Sequence, residues 1–277
     1  MITGETELIA HLGYPTKTFK APMIYNPYFE SIGVNAIVAP FGVQSENYSA
    51  VVRAIFSLTN IRGALVTMPH KVATVALMDE VSTTAKIAGA CNAIRRREDG
   101  ALVGDLFDGE GFTRGVLRKG RALKGASALV VGSGGVGSAI AASLAGAGVA
   151  RLGIYDPHTP AAQGLASRLT KHYPNLTLEV GSKDPTGFDI AVNASPVGMN
   201  ATDPLPFEVD RLTPSTFVGE VVMKEEMTPL LREAKARGCG FQVGTDMLFE
   251  QIPAYLEFFG YPTTTADNLR ALARISY

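Results

Sequence analysis

The sequence predicts an α/β fold in two domains, and three observations carry that reading. Short apolar, β-branched runs alternate with stretches of helical apolar spacing through residues 1–104, and again from Ser127 onward. A glycine pattern, G-x-G-x-x-G at Gly132, Gly134 and Gly137, follows the apolar run SALVV and opens an Ala-rich helical stretch. The chain has 277 residues, 46% of them hydrophobic, which is enough for two cores.

Taken in order, GVNAIVAPF (33–41) and IRGALVTMP (61–69) read as buried strands. ENYSAVVRAIFSL (46–58) has apolar residues at helical spacing, and VATVALMDEVSTTAKIAG (72–89) reads as a helix and its end. This β-α-β-α rhythm predicts a parallel-type α/β domain. Arg95-Arg96-Arg97 runs into Glu98-Asp99-Gly100 and reads as a hairpin or turn edge rather than a nucleic-acid footprint. GALVGDLFDGEGFTRGVL (100–117) reads as a strand, a turn and the start of a connecting helix. TLEVG (177–181), DIAVNAS (189–195) and TFVGEVVM (216–223) are further strand candidates. The polar, Pro-rich stretch Asn200–Pro214 reads as surface loop, and FQVGTDMLFEQIPAYLEFFG (241–260) as strand, loop and amphipathic helix.

Bulk composition excludes several classes. The net charge is −1, and no long basic block is present, so no nucleic-acid partner is expected. No run approaches the length of a membrane span, and the N-terminus lacks a signal-peptide layout, so a cytoplasmic protein with no membrane partner is expected. Cys91 and Cys239 lie far apart and read as reduced thiols. His11, His70, His158 and His172 are scattered, with no metal-ligand spacing.

The glycine segment has a physical rationale at each position. Gly132 makes the strand-to-helix turn, Gly134 lets backbone approach a pyrophosphate, and Gly137 lets the helix pack close to the strand. Gly135 and Val136 open the helix, whose free N–H groups face the phosphates. A second apolar run, RLGIYD, ends in Asp156, placed to accept from both ribose hydroxyls of NAD and to repel the 2′-phosphate of NADP. The expected cofactor is NAD, bound in a Rossmann-type domain.

Two titratable residues follow strand-like runs, where α/β folds form ligand crevices: Lys71 after VTMPH, and Asp108 in GDLFDGEGF. A hydride enzyme acting on an alcohol needs a group that moves the hydroxyl proton. A lysine steadied by an aspartate can do so. On spacing alone, the better reading of each is a plain surface charge. Asn92 and Gln251 are uncharged hydrogen-bonding groups near loop positions.

The order of these pieces resembles the shikimate dehydrogenase family. GYPTKTFKAPMIYN, GALVTMPHK, GACNAI, GDLFDGEGF, VVGSGGVGSA, VNASPVGM, MTPLL and VGTDMLFEQ run in the family's order from Gly13 to Gln251. The resemblance implies a substrate domain (1–104 plus 246–277) and a dinucleotide domain (105–245), with a C-terminal helical return to the first. It implies that Lys71 and Asp108 are the catalytic pair and that Thr67, Asn92 and Gln251 contact substrate. It places further cofactor contacts on Asn193, Ala194, Ser195, Val221, Gly244 and Met247.

The departures from the family pattern are equally informative. Its G-x-P-x-x-x-S-x-S-P-x-x-H-N carries two serines that meet the substrate carboxylate. Here those positions are Phe19 and Ala21, and the histidine position is Tyr25. Leu65, Leu106 and Phe107 replace further polar positions, and Met223 stands where the family has a tyrosine. A buried carboxylate without donors costs several kcal/mol. The expectation is therefore an NAD-dependent dehydrogenase for a small, cyclic, polyhydroxylated substrate other than shikimate, acting as a monomer or homodimer. Two alternatives stand beside it. One is a shikimate or quinate dehydrogenase whose carboxylate anchor has moved to Lys17 or Lys20; the other is a non-catalytic NAD-binding regulator.

Overall fold

The computed structural model describes residues 2–200 and 202–275, apart from the side chain of Thr18. The chain divides into two units, Met1–Phe107 with Ile252–Tyr277, and Asp108–Gln251.

The first unit opens with β1 (Glu7–Gly13), α1 (Ala21–Ser31), β2 (Ala36–Gly42), α2 (Tyr48–Ile55) and β3 (Ile61–Val66). It continues through α3 (Lys71–Val75), β4 (Glu80–Val81), α4 (Thr83–Ala88), β5 (Ala93–Arg96) and β6 (Leu102–Asp105). The strand order is β2-β1-β3-β5-β6-β4. β1, flanked on both sides, buries Ile9, Ala10 and Leu12 completely, as an apolar parallel strand does. Tyr48, Val52 and Ile55 of α2 join Leu12, Ala64 and Val66 in one core. Asn26 pins α1 to β2: its Oδ1 accepts from the Val38 N–H (2.7 Å) and its Nδ2 donates to the Val38 carbonyl (3.1 Å).

Two expectations change here. The sheet is mixed, because β5 runs antiparallel to both β3 and β6. The turn through Arg97 and Gly100 joins β5 directly to β6, too short a link for a parallel crossover. Arg97 closes that turn with Asp99 (2.8 Å) and Glu80 (2.9 Å). Residues 72–89 are two short helices around a strand, not one helix. The Asp79 carboxylate accepts from the Leu102 N–H (2.7 Å), drawing Glu80–Val81 into pairing with β6. Ser82 then caps α4 through the Ala85 N–H (3.2 Å).

The second unit contains α5 (Asp108–Arg118), β7 (Ser127–Val131), α6 (Gly135–Gly146), β8 (Arg151–Tyr155), α7 (Thr159–His172) and β9 (Thr177–Val180). β10 (Ile190–Asn193), β11 (Phe217–Glu220), α8 (Pro229–Ala236), β12 (Gly240–Gln242) and α9 (Gly244–Glu250) complete it. The order is β12-β11-β10-β7-β8-β9, with every pairing parallel. After β9 the chain returns to lay β10 beside β7, so the winding reverses between those two strands. Such a switch point opens a crevice at the strand C-termini. Residues 200–214, expected as surface loop, instead insert Phe207, Val209 and Leu212 into the core. The chain then re-enters the first unit as α10 (Ile252–Phe259) and α11 (Ala266–Leu272). Among the described residues, no helix is long and apolar enough to cross a membrane.

Candidate functional site

In the second unit the glycine loop lies at the β7/β10 switch point. The Gly132 N–H donates to the Tyr155 carbonyl (2.7 Å), which ties the loop to the end of β8. Gly132 has φ of +109°, and a Cβ on it would lie 2.7 Å from the Ala194 carbonyl carbon. A Cβ on Gly137 would strike the Gly132 carbonyl oxygen. Side chains are therefore excluded at both positions. Gly134 and Gly135 differ, because nothing lies within 4 Å of the Cβ either would carry. Gly134 offers no side-chain cap to the 12-residue α6, and Val136 lies in its first turn. Open backbone at an uncapped helix N-terminus fits a pyrophosphate.

Asp156 follows β8. Its Oδ2 accepts from the Ser133 N–H (2.7 Å) and its Oδ1 from the His158 N–H (2.9 Å). The carboxylate is thus fixed against the glycine loop, and each oxygen keeps a lone pair for a ribose hydroxyl. The Lys183 ammonium lies 5.9 Å from the centroid of the Tyr155 ring, next in the chain to Asp156. Sequence reasoning missed this cation, because it follows β9, far along the chain from Asp156.

Asn193, Ala194 and Ser195 follow at the end of β10. Asn193 Oδ1 accepts from the Ser195 hydroxyl (2.7 Å), and its Nδ2 donates to the Val197 carbonyl (2.9 Å) and to Glu220 (2.9 Å). Glu220 is fully buried, which pushes its pKa up. It accepts from Val221 N–H (2.9 Å), Val222 N–H (3.0 Å) and the Thr228 hydroxyl (2.9 Å). One carboxylate therefore joins the loops after β10 and β11, a part that sequence reading did not assign. Val221 and Met223 lie on the second of these loops. A Cβ on Gly244 would strike the Val222 carbonyl and lie 3.0 Å from Met223 Cγ, so the Val222 backbone and the Met223 side chain pass close to the start of α9. Met247 is buried one turn further along, while Met223 is 49% exposed.

α5 carries Asp108 as its first residue, buried at a helix N-terminus where a carboxylate is favoured. The glycines after it have a packing cause. A Cβ on Gly109 would meet the Ala139 carbonyl of α6, and one on Gly111 would lie 2.5 Å from the Met247 carbonyl of α9. Gln251 is buried with Oε1 unpartnered.

In the first unit, Thr67 follows β3, and its N–H donates to the Leu12 carbonyl (2.9 Å), setting the ends of β1 and β3 level. His70 is buried, stacked on Tyr48 at 4.1 Å, with Nε2 against the Val43 carbonyl (2.8 Å). Lys71, the next residue, is half-buried, and its carbonyl accepts from the Cys91 N–H (2.8 Å). Packing thus fixes the lysine backbone from both sides. Asn92 accepts at its carbonyl from Val66 N–H (2.8 Å) and at Oδ1 from Phe107 N–H (3.0 Å). Its Nδ2 is buried without a partner.

The departing positions are apolar in fact as well as in sequence. Phe19 is buried on the His11 ring, with centroids 4.0 Å apart, and Ala21 opens α1. Leu65 and Leu106 are buried; Phe107 packs edge-on against Tyr255 (4.7 Å) and Phe258 (5.5 Å). Tyr25 is buried with an unpartnered hydroxyl, and burial raises its pKa. His11 itself, which sequence reading left aside, is pushed down to about 4 by burial and then by the Lys71 charge. Phe19 and Leu65 belong to the first unit and Met223 to the second.

The sequence model of the shikimate dehydrogenase substrate binding domain matches residues 12–94. A ThiF family model matches residues 114–160. The NADP(+) shikimate dehydrogenase of Rubrobacter xylanophilus is 37% identical, over 98% of this chain and 97% of that protein. The chain belongs to the shikimate dehydrogenase family. It is an oxidoreductase acting on a CH–OH group, with a small-molecule substrate and a nicotinamide dinucleotide cofactor. Two solved structures extend the comparison. Shikimate 5-dehydrogenase from Listeria monocytogenes, in complex with shikimate and NAD, is 26% identical with a TM-score of 0.91, covering 98% of this chain and 97% of that one. The ligand-free 5-ketofructose reductase of Gluconobacter sp. is also 26% identical, with a TM-score of 0.89 and 98% of each chain covered. Within the shikimate dehydrogenase family, the segment matched at 12–94 holds Phe19, Ala21, Leu65, Thr67, Lys71 and Asn92, so departures and retained positions share one stretch of chain.

Proposed function

We propose that this protein interconverts a secondary alcohol and a ketone on a small, cyclic, polyhydroxylated substrate that carries no carboxylate, with NAD as the cofactor. The carrying observation is Phe19, laid flat on His11 at 4.0 Å where the family resemblance expects a serine hydroxyl. With Ala21 two residues on, neither of the two serine positions offers an anion a side-chain donor. Hydrogen-bonding groups toward a hydroxylated ring are retained, and the unpartnered Asn92 Nδ2 and Gln251 Oε1 suit groups that await a ligand. The 5-ketofructose reductase neighbour is named for a keto sugar, which supports an uncharged substrate.

In this reading the substrate groups Thr67, Lys71 and Asn92 belong to the first unit and Asp108 and Gln251 to the second, which also binds the dinucleotide, through Gly132, Gly134, Gly135, Val136, Gly137, Asp156, Asn193, Ala194, Ser195, Val221, Gly244 and Met247. The bound dinucleotide supplies the hydride acceptor or donor. Lys71 takes the hydroxyl proton as the carbinol becomes a ketone and returns it in reduction; Asp108 is the acid that the resemblance pairs with it. Asp156 argues for NAD, the cofactor named in the Listeria complex, although the curated relatives are named for NADP(+). Two free, buried cysteines, Cys91 and Cys239, suit a reducing cytosolic setting.

A second reading has the curated relatives behind it: a shikimate dehydrogenase that anchors the carboxylate on Lys17 or Lys20. One assay separates the two. A screen with NAD and NADP against cyclic alcohols and keto sugars, with and without a carboxylate, should show turnover confined to uncharged substrates. Shikimate turnover at an ordinary kcat/KM of about 10⁴ M⁻¹s⁻¹ would establish the second reading instead.

A further inference from the structure

His11 is a buried titratable side chain that the proposed proton transfer leaves unused. It lies on β1 in register with Leu65 of β3 and Pro40 of β2, two residues before the strand ends at Gly13. Phe19 covers it, and the two rings stack at 4.0 Å with 27° between planes. Its Nδ1 is buried with no hydrogen-bond partner. An unpaired ring nitrogen in such a place costs stability unless something else pairs with it.

The surroundings are those of the proposed substrate edge. A Cβ on Gly13 would lie 2.9 Å from Phe19 Cζ and would strike the Thr67 methyl, so Gly13 makes room where Phe19 and Thr67 meet. Lys71 is close enough for its charge to act on His11, and burial and that charge together hold the imidazole neutral near pH 7. A neutral imidazole offers one donor and one acceptor and no charge. It suits a hydroxyl or a carbonyl, and it does nothing to offset a carboxylate.

We infer that His11 is a specificity-determining residue: its imidazole hydrogen-bonds an uncharged hydroxyl or carbonyl of the substrate, reached when the Phe19 side chain turns aside. This rests on the reading above that the substrate binds beside Lys71 and lacks a carboxylate. Phe19 then acts as a cover, and His11 as the polar group beneath it that takes the place of a serine hydroxyl.

The test uses two variants and two readouts. His11→Phe keeps a flat ring against Phe19 and removes both nitrogens; His11→Asn keeps a hydrogen-bonding group. For the uncharged substrate found in the screen, His11→Phe should raise KM about 5- to 30-fold, the value of one lost hydrogen bond. kcat and NAD affinity should stay within a few-fold, and His11→Asn should recover part of the loss. The second readout needs no turnover. In protein labelled at histidine, the His11 ring resonances, assigned by their absence in His11→Phe, should shift on adding fructose or 5-ketofructose and stay put with shikimate. A KM within twofold of wild type in His11→Phe would overturn the inference while leaving the dehydrogenase reading intact. Resonances unmoved by either sugar, or moved by shikimate alone, would overturn it even if no substrate is turned over.

Discussion

On the proposed reading, the two units would meet their ligands with different materials. In the second, the crevice at β7 and β10 is made of backbone: Gly132, Gly134, Gly135 and Gly137 shape it, and the polar side chains around it, Asp156, Asn193 and Glu220, are tied to loop atoms by hydrogen bonds of 2.7–3.2 Å. In the first, the reading rests on side chains, and there the chain departs from its family: Phe19, Ala21 and Leu65 lie in the same matched segment as Lys71 and Asn92. The difference is instructive. A phosphate read by N–H groups tolerates little change in its loop, because a Cβ at Gly132 or Gly137 collides with backbone. A substrate read by side chains can be exchanged by swapping them while the strands beneath stay in register.

The sharpest break of this comparison is Lys71→Ala. If Lys71 of the first unit moves the proton and the dinucleotide is held by the second, turnover should fall about 10²- to 10⁴-fold while NAD affinity, titrated by fluorescence, stays within a few-fold. A variant with near wild-type kcat would move the chemistry elsewhere.

Next comes a change in the opposite direction. Phe19→Ser with Ala21→Ser should improve shikimate use by about 1.5–3 kcal/mol per serine at best, one hydrogen bond to a charge each. The gain should appear mainly in KM, measured by initial rates. An unchanged KM would show that Leu65 or another apolar neighbour still excludes the ring.

On the second unit, Asp156 should favour NAD over NADP by about 2–3 kcal/mol, roughly 30- to 150-fold. Calorimetric titration of both cofactors into wild type and Asp156→Asn checks this. The gap should narrow in the variant, and tighter NADP binding by wild type would show Lys183 to outweigh the carboxylate.

The smallest effect concerns acid stability. His11 is held down to about 4 in the folded protein, from an ordinary value of 6.5. Between those values the unfolded chain binds the proton and the folded one does not, so stability is full above pH 6.5 and falls as pH drops toward 4. The His11 contribution should reach about 2 kcal/mol at pH 5 relative to pH 8. Urea unfolding at both values should show His11→Phe losing less stability on acidification than wild type.

Much of this protein was legible in residues whose role is local. The glycine motif after SALVV, the acid after RLGIY and the β-α alternation depend on neighbours a few residues away, so the doubly wound second unit and its crevice could be read from the sequence. So could the family, and with it the positions where polar side chains have become apolar. The pairing of distant segments could not. The break of residues 72–89 around Glu80–Val81 depends on Asp79 meeting Leu102; the turn through Arg97 and Gly100 was legible, but the antiparallel seat of β5 against β3 was not. Phe207, Val209 and Leu212 look like loop residues until a core receives them. Glu220 became the hub of two loops, and His11 a buried neutral group under Phe19, only through tertiary packing. Burial and unpaired hydrogen-bonding atoms are properties of what surrounds a residue, and the linear order of the chain does not contain those surroundings.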